Sequence, residues 1–171
     1  MSDRFGPDVQ RDATVSDCGV YRYDLSRVWE PERVGGCCLF VMLNPSKADA
    51  SIDDPTVRRC VNFAKAWGYG SLSVVNLFAL RATDPRELYK HADPVGPDND
   101  LAILAASDRC GVRVCAWGAH GSLHDRGRHI KSLLRVTDPR PVCHLGLTAD
   151  GHPKHPLYLK ATTKPTPFPE S

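Results

Sequence analysis

The chain has 171 residues, 42% hydrophobic and 25% charged, which suits one domain with a buried core and leaves little room for a second. Nowhere is there a stretch near the roughly 20 apolar residues that span a bilayer. The start, Met1-Ser-Asp-Arg-Phe-Gly-Pro7, lacks the apolar segment of a secretory signal, so a cytoplasmic protein without a membrane partner is expected. A net charge of +2 is too mild to identify a nucleic-acid binder by charge alone.

Residues 1–17 are polar and predict a loose N-terminal arm, followed by a single α/β domain over 18–161. Tyr21, Tyr23, Leu25 and Val28-Trp29 predict an N-terminal strand or hairpin at the sheet edge, interrupted at Pro31. Cys37 to Leu43 is apolar without alternation, as in a strand covered on both faces, and Asn44-Pro45 stops it. Asp54-Pro55 is a helix start, with Asp as N-cap and Pro in the first turn. Val57, Cys60, Val61, Ala64 and Trp67 continue it as one apolar stripe, ended by Gly68 or Gly70.

Leu72 to Leu80 reads as a second buried strand broken by one amide, Asn76. Arg81-Ala-Thr-Asp-Pro85 leads into a short helix around 87–90, and a turn-rich stretch, 93–100, caps a helix over about 101–106. Val112 to Trp117 is a third strand closed by Gly118, a helix follows over about 126–135, and Val142 to Leu147 is a fourth strand. The Pro-rich tail, 162–171, is expected to lie over the surface. Seven cysteines, at 18, 37, 38, 60, 110, 115 and 143, include no C-x-x-C pair and read as reduced core residues.

Alternating strands and helices demand right-handed crossovers. They predict a three-layer α/β/α fold with a central, mainly four-stranded parallel sheet. Ligands of such sheets bind beyond the carboxyl ends of the strands. Asn44, Asn76, Trp117-Gly118 and the loop His152-Pro-Lys-His155 all follow strands at one sheet edge, so they are expected to share a cleft. Two amides there can read a donor–acceptor pattern on a small ring, histidines can hold or give a proton near neutral pH, and Asp53 or Asp54 can orient water. Pro45, Ser46, Phe78 and Lys154 are expected beside the ligand, with Lys47, Arg58, Arg59 and Arg81 as phosphate-seeking charge.

Plainer readings stand beside these. Asn44-Pro45 also suits a strand-stopping turn, Asn76 a bridge between backbone groups, and Phe63, Trp67 and Trp117 the core. P-loop and dinucleotide fingerprints are absent, as is a Gly-x-Ser-x-Gly elbow, and His152 with His155 lacks a paired cysteine motif. No cofactor and no metal are expected.

The ordered motifs Met42-Leu-Asn-Pro-Ser-Lys-Ala-Asp49, Asp53-Asp-Pro-Thr-Val-Arg-Arg59, Trp67-Gly-Tyr-Gly70, Val75-Asn-Leu-Phe-Ala-Leu-Arg-Ala-Thr-Asp-Pro85, Ala116-Trp-Gly-Ala-His120 and Gly146-Leu-Thr-Ala-Asp-Gly-His-Pro-Lys-His-Pro-Leu-Tyr158 closely resemble a bacterial and phage family, domain of unknown function 1643. That resemblance carries no settled activity. A more remote one is to the uracil-DNA glycosylase superfamily. Leu43-Asn-Pro45 is similar to the motif whose Asn positions the attacking water, and Asn76 to the amide that reads the extruded base. His155-Pro-Leu157, or alternatively His152-Pro153, is similar to the motif that stabilises the departing base, and Val114-Cys-Ala-Trp-Gly118 to the strand before that motif.

Met42 replaces a glycine of the first motif, and Lys154 or Leu157 a serine of the second, so the base stays open. The resemblance implies a uracil-DNA glycosylase-like fold and a nucleobase-recognising protein. It would hydrolyse or transfer at an N-glycosidic bond in DNA or a nucleotide, in DNA repair or modification. The alternatives are a non-catalytic nucleotide- or modified-base-binding module and an enzyme acting on a small phosphorylated metabolite.

Overall fold

The apolar run from Cys37 forms strand β3 (Cys37–Met42), buried at every position after the first. A strand without alternation needs cover on both faces and neighbours on both edges. β3 has both, pairing in parallel with β4 (Ser71–Asn76) on one side and with β5 (Val112–Cys115) on the other. Beyond β5 lies β6 (Val142–His144), also parallel. Three antiparallel strands complete the sheet: β1 (Gln10–Val15), β2 (Arg22–Val28) and β7 (Thr166–Pro167).

The order is β1-β2-β4-β3-β5-β6-β7, in a computed structural model that describes residues 8–170. With three α-helices this is a mixed α/β fold. Among the described residues, no helix is long and apolar enough to cross a membrane.

Helix α1 (Pro55–Ala66) starts where the sequence predicts. The Asp54 carboxylate accepts from the Val57 amide at 2.8 Å and Pro55 occupies the first turn. Its stripe of Val57, Cys60, Val61, Phe63 and Ala64 is buried against Phe40, Leu72, Val74 and Val114 on one face of the sheet. Trp67 and Phe63 are core aromatics, their rings 5.3 Å apart.

Helices α2 (Asn99–Arg109) and α3 (Arg126–Thr137) bury Ile103, Ala106, Ile130 and Leu134 against Leu39, Val41, Val75 and Cys115 on the other face. Cys38, Cys60, Cys110, Cys115 and Cys143 are buried, and all seven cysteines are free thiols. Arg113, within β5, is fully buried and donates to the Leu134, Asp138 and Arg140 carbonyls, tying the end of α3 and the turn after it to the sheet.

Residues 1–7 of the expected arm lie outside the described residues. Gln10–Val15, however, forms a strand rather than an arm, and pairs with β2 from Gln10↔Val28 to Val15↔Arg22. It carries no apolar alternation because it is an edge strand with mostly exposed side chains. Backbone hydrogen bonds hold it, and its charges discourage further edge pairing. The tail likewise does not simply cover the surface. Thr166–Pro167 extends the sheet, and Phe168 is buried with its ring 4.7 Å from His144. The second apolar run is divided at Asn76, after which Leu77 to Leu80 leaves the strand but stays buried. The short helix expected around 87–90 is a 3-10 turn, Pro85–Tyr89, capped by Asp84.

Candidate functional site

Met42 and Asn76 are register partners, so β3 and β4 end level at one edge of the sheet. The chains leaving them stay zipped together. Leu77 N donates to Met42 O at 2.9 Å, Phe78 N to Leu43 O at 3.0 Å and Ala82 N to Pro45 O at 3.0 Å. Asn44 locks this junction from its side chain, Nδ2 donating to the Ala82 carbonyl at 2.7 Å and the Pro45 carbonyl at 3.0 Å. Its amide donors are thereby committed to the loop, and Oδ1 is left as an acceptor.

Beyond this edge opens a cavity of about 350 Å³, lined by Asn44, Ser46, Asp54, Asn76, Trp117, Gly118 and His155 among others. Seven of the residues expected at a ligand therefore surround one space.

Asn76 is 1% exposed and its Nδ2 has no hydrogen-bond partner among the described residues. Leaving an amide donor buried and unmade costs on the order of 1–3 kcal/mol, which sets Asn76 apart from the other amides at this edge. The strand end that carries it is braced from α2 and α3. Asn99 Nδ2 donates to the Asn76 and Leu77 carbonyls at 2.9 and 3.0 Å, and Arg126 Nε donates to Leu77 O at 2.9 Å.

The turn after β5 brings in Trp117 and Gly118. It hugs the Trp117 ring so closely that a Cβ at Gly121 would stand 2.2 Å from the indole. Gly118 has φ +73° and donates its N–H to the Pro153 carbonyl at 2.8 Å, which pulls the loop after β6 towards the turn.

That loop delivers His155. Its Nδ1 accepts from the Leu157 amide at 3.2 Å and caps the 3-10 turn Pro156–Tyr158, so the proton of the neutral ring is assigned to Nε2. Burial lowers the His155 pKa, and the Asp54 charge opposes that shift in part. The ring is therefore neutral at pH 7, an N–H donor rather than a cation. His144, whose Nδ1 accepts from the Gly146 amide at 2.9 Å, is lowered by burial too.

Both histidines bind protons more readily unfolded, at the ordinary value of 6.5, than folded. Their stabilising contribution is complete above pH ~7 and is lost as pH falls through the lowered folded values. The melting temperature should drop on acidification from about pH 7 to about 5, and less steeply in His155→Asn, which keeps a capping side chain. Equal slopes for the two proteins would show that His155 is not a contributor.

Other expected residues stand elsewhere. Asp53 does not reach the cavity, because its carboxylate is held by Arg27 Nε at 2.8 Å and Arg11 Nη1 at 2.8 Å. His152 lines a different cavity, of about 220 Å³, behind Trp117. Phe78 is a fully buried core residue. Neither Pro45, whose carbonyl is bound by Ala82 and Asn44, nor Lys154, whose amide donates to Gly146 O, lines the cleft.

The expected phosphate-seeking cations are not gathered there either. Arg58 donates to the Asp53 carbonyl, Arg59 to the Pro156 and Leu159 carbonyls and Arg81 to the Gly19 carbonyl; Lys47 is exposed outside the cavity. Among the described residues, no group of three histidine, cysteine or acidic side chains is placed to hold a metal ion.

Four polar lining residues were not anticipated: Arg22, Thr56, Thr83 and His120. His120, whose Nδ1 lies 3.0 Å from the Tyr89 hydroxyl, follows Trp117-Gly118 by two residues and was legible from that position. Arg22 was not. It begins an antiparallel strand, and the start of such a strand lies at the same edge as the ends of the parallel ones. A search confined to strand ends passes over it.

A family model described as "Protein of unknown function (DUF1643)" matches residues 22–157. No curated protein and no solved structure matches the chain.

Proposed function

Since the chain belongs to the DUF1643 family, whose description assigns no chemistry, we propose from the cleft itself that it is a nucleobase-recognising, glycosylase-like hydrolase acting at an N-glycosidic bond. The observation that carries this reading is Asn76, buried at a strand end beside a cavity with an unpaired amide donor, in a wall shared with Asn44, Asp54 and His155. The parallel strands β4, β3, β5 and β6 with helices on both faces support the finer fold reading, a three-layer core like that of uracil-DNA glycosylases.

In the proposed reaction Asn76 reads the base edge and Trp117 offers it an apolar wall. Asn44 Oδ1, the acceptor its loop leaves available, holds a water molecule. Asp54 spends one carboxylate oxygen on the Val57 amide, and its other oxygen takes the proton of that water as the water oxygen bonds to the sugar C1′. The electron pair of the breaking C1′–N bond goes to the base, where His155 Nε2–H donates a hydrogen bond to the developing negative charge. The carboxylate also faces the oxocarbenium-like sugar, whose charge it favours.

The test is base release from a panel of modified-base oligonucleotides, single and double stranded, and of free nucleosides and nucleotides. Wild type is expected to release base from at least one. Asn44→Ala should slow that release by roughly 10- to 100-fold, the scale of losing one positioning contact. No release from any substrate would sink the enzymatic reading. Saturable binding without release would make the cleft a nucleotide- or modified-base-binding module instead.

A further inference from the structure

Arg22 is 3% exposed. Guanidinium groups that deep normally stand against a carboxylate, since a buried charge without a partner is strongly disfavoured. Arg27 in the same strand follows that rule with Asp53. Arg22 does not: its Nη1 donates to the Ala48 carbonyl at 2.6 Å, its Nε has no hydrogen-bond partner, and no carboxylate among the described residues pairs with it. Burial pushes its pKa down to about 10, against the opposing charge of Asp54, so it remains a cation at neutral pH.

Arg22 lines the cavity, and a guanidinium there with no carboxylate partner is suited to a phosphate or a similar anion. The first turn of α1, whose Thr56 and Val57 line the same space, adds the positive end of its dipole.

Where the cations lie also bears on what sort of phosphate enters. A polynucleotide needs a track of cations along a rim to follow its backbone. Of the cations expected around the cleft, Arg58 and Arg59 are turned to carbonyls of their own chain, Arg81 reaches the Gly19 carbonyl at 3.4 Å and Lys47 is exposed, and none of the four lines it. The guanidinium that lines this cleft is inside it, and the space of about 350 Å³ falls at the small end of ligand pockets. We propose that Arg22 anchors the phosphate of a free nucleoside monophosphate, which is the substrate class of this cleft in place of a base flipped out of DNA. The phosphate anchor stands on Arg22 alone, and the nucleoside part rests on the nucleobase reading above.

Calorimetric titration of the full chain with nucleoside 5′-monophosphates, the matching nucleosides, ribose 5-phosphate and short single-stranded oligonucleotides tests both parts. At least one monophosphate should bind roughly 10- to 100-fold more tightly than its nucleoside. Arg22→Met, close in length and uncharged, should erase that difference, with a thermal melt to confirm that it folds. Inorganic phosphate should compete with the nucleotide on the wild-type protein, a measurement that needs no variant.

Equal affinity for nucleotide and nucleoside, or tighter binding of an oligonucleotide than of its mononucleotide, would overturn the proposal and leave the nucleobase reading standing. Ribose 5-phosphate binding as tightly as every nucleotide would overturn the nucleobase reading and keep only the anion anchor.

Discussion

Asp53→Ala is expected to destabilise the protein by about 3 kcal/mol, at the low end of the ~3–5 kcal/mol typical of breaking a buried ion pair. Arg27 is 0% exposed and lies against Asp53 at 2.8 Å, so the substitution strands a cation inside the hairpin of β1 and β2. The loss is at the low end because the Ser26 and Asp49 carbonyls still accept from Arg27. It also removes one partner of Arg11 of β1, which reaches the same carboxylate.

Arg27→Leu combined with Asp53→Ala should cost less than the sum of the two single changes, because neither charge is then left behind. Denaturant titration of the four proteins measures this coupling. Additive losses would mean that the pair is not the unit of stability. Base release measured on the same four proteins tests the role of Asp53, since a residue whose loss lowers stability while leaving release per folded molecule intact is structural.

Its neighbour should behave in the opposite way. Asp54→Asn is expected to lower kcat/KM for base release by about 10²–10⁴-fold, the usual contribution of a general base. Stability should change by less than about 0.5 kcal/mol, because Asn serves as an N-cap nearly as well as Asp and can still accept from the Val57 amide. Rate and melting temperature measured on one preparation separate capping from chemistry. An unchanged rate with an unchanged melting temperature would reduce Asp54 to a cap. An unchanged rate with a lower melting temperature would show that its charge, set beside the N-terminus of α1, matters only for the helix.

Adjacent aspartates thus stand in two different places. Consecutive side chains of an extended segment point to opposite sides. Asp54 is the extended N-cap of α1 and lines the cleft, while Asp53 turns away to the arginines of β1 and β2. The two histidines of the loop after β6 separate for a related reason. The Pro153 carbonyl is bound by Gly118, which leaves His152 on the far side of Trp117 and carries His155 into the cleft. Spacing along the chain named both pairs but had no means of choosing within either.

The sequence by itself determined the central strands, the start of α1 at Asp54-Pro55 and the edge of the sheet at which Asn44, Asn76, Trp117 and His155 meet. These follow from apolar periodicity, capping chemistry and the handedness of crossovers, all of which act over a few residues or through chain order. Only the tertiary structure decided the rest. It placed Gln10–Val15 and Thr166–Pro167 in the sheet, where backbone pairing rather than side-chain burial holds polar segments. It turned Arg58, Arg59 and Arg81 towards carbonyls of the chain itself. It also set Arg22 inside the cleft, since the direction of β2 and the lack of a carboxylate partner are settled by strand pairing between distant segments and leave no trace in local sequence.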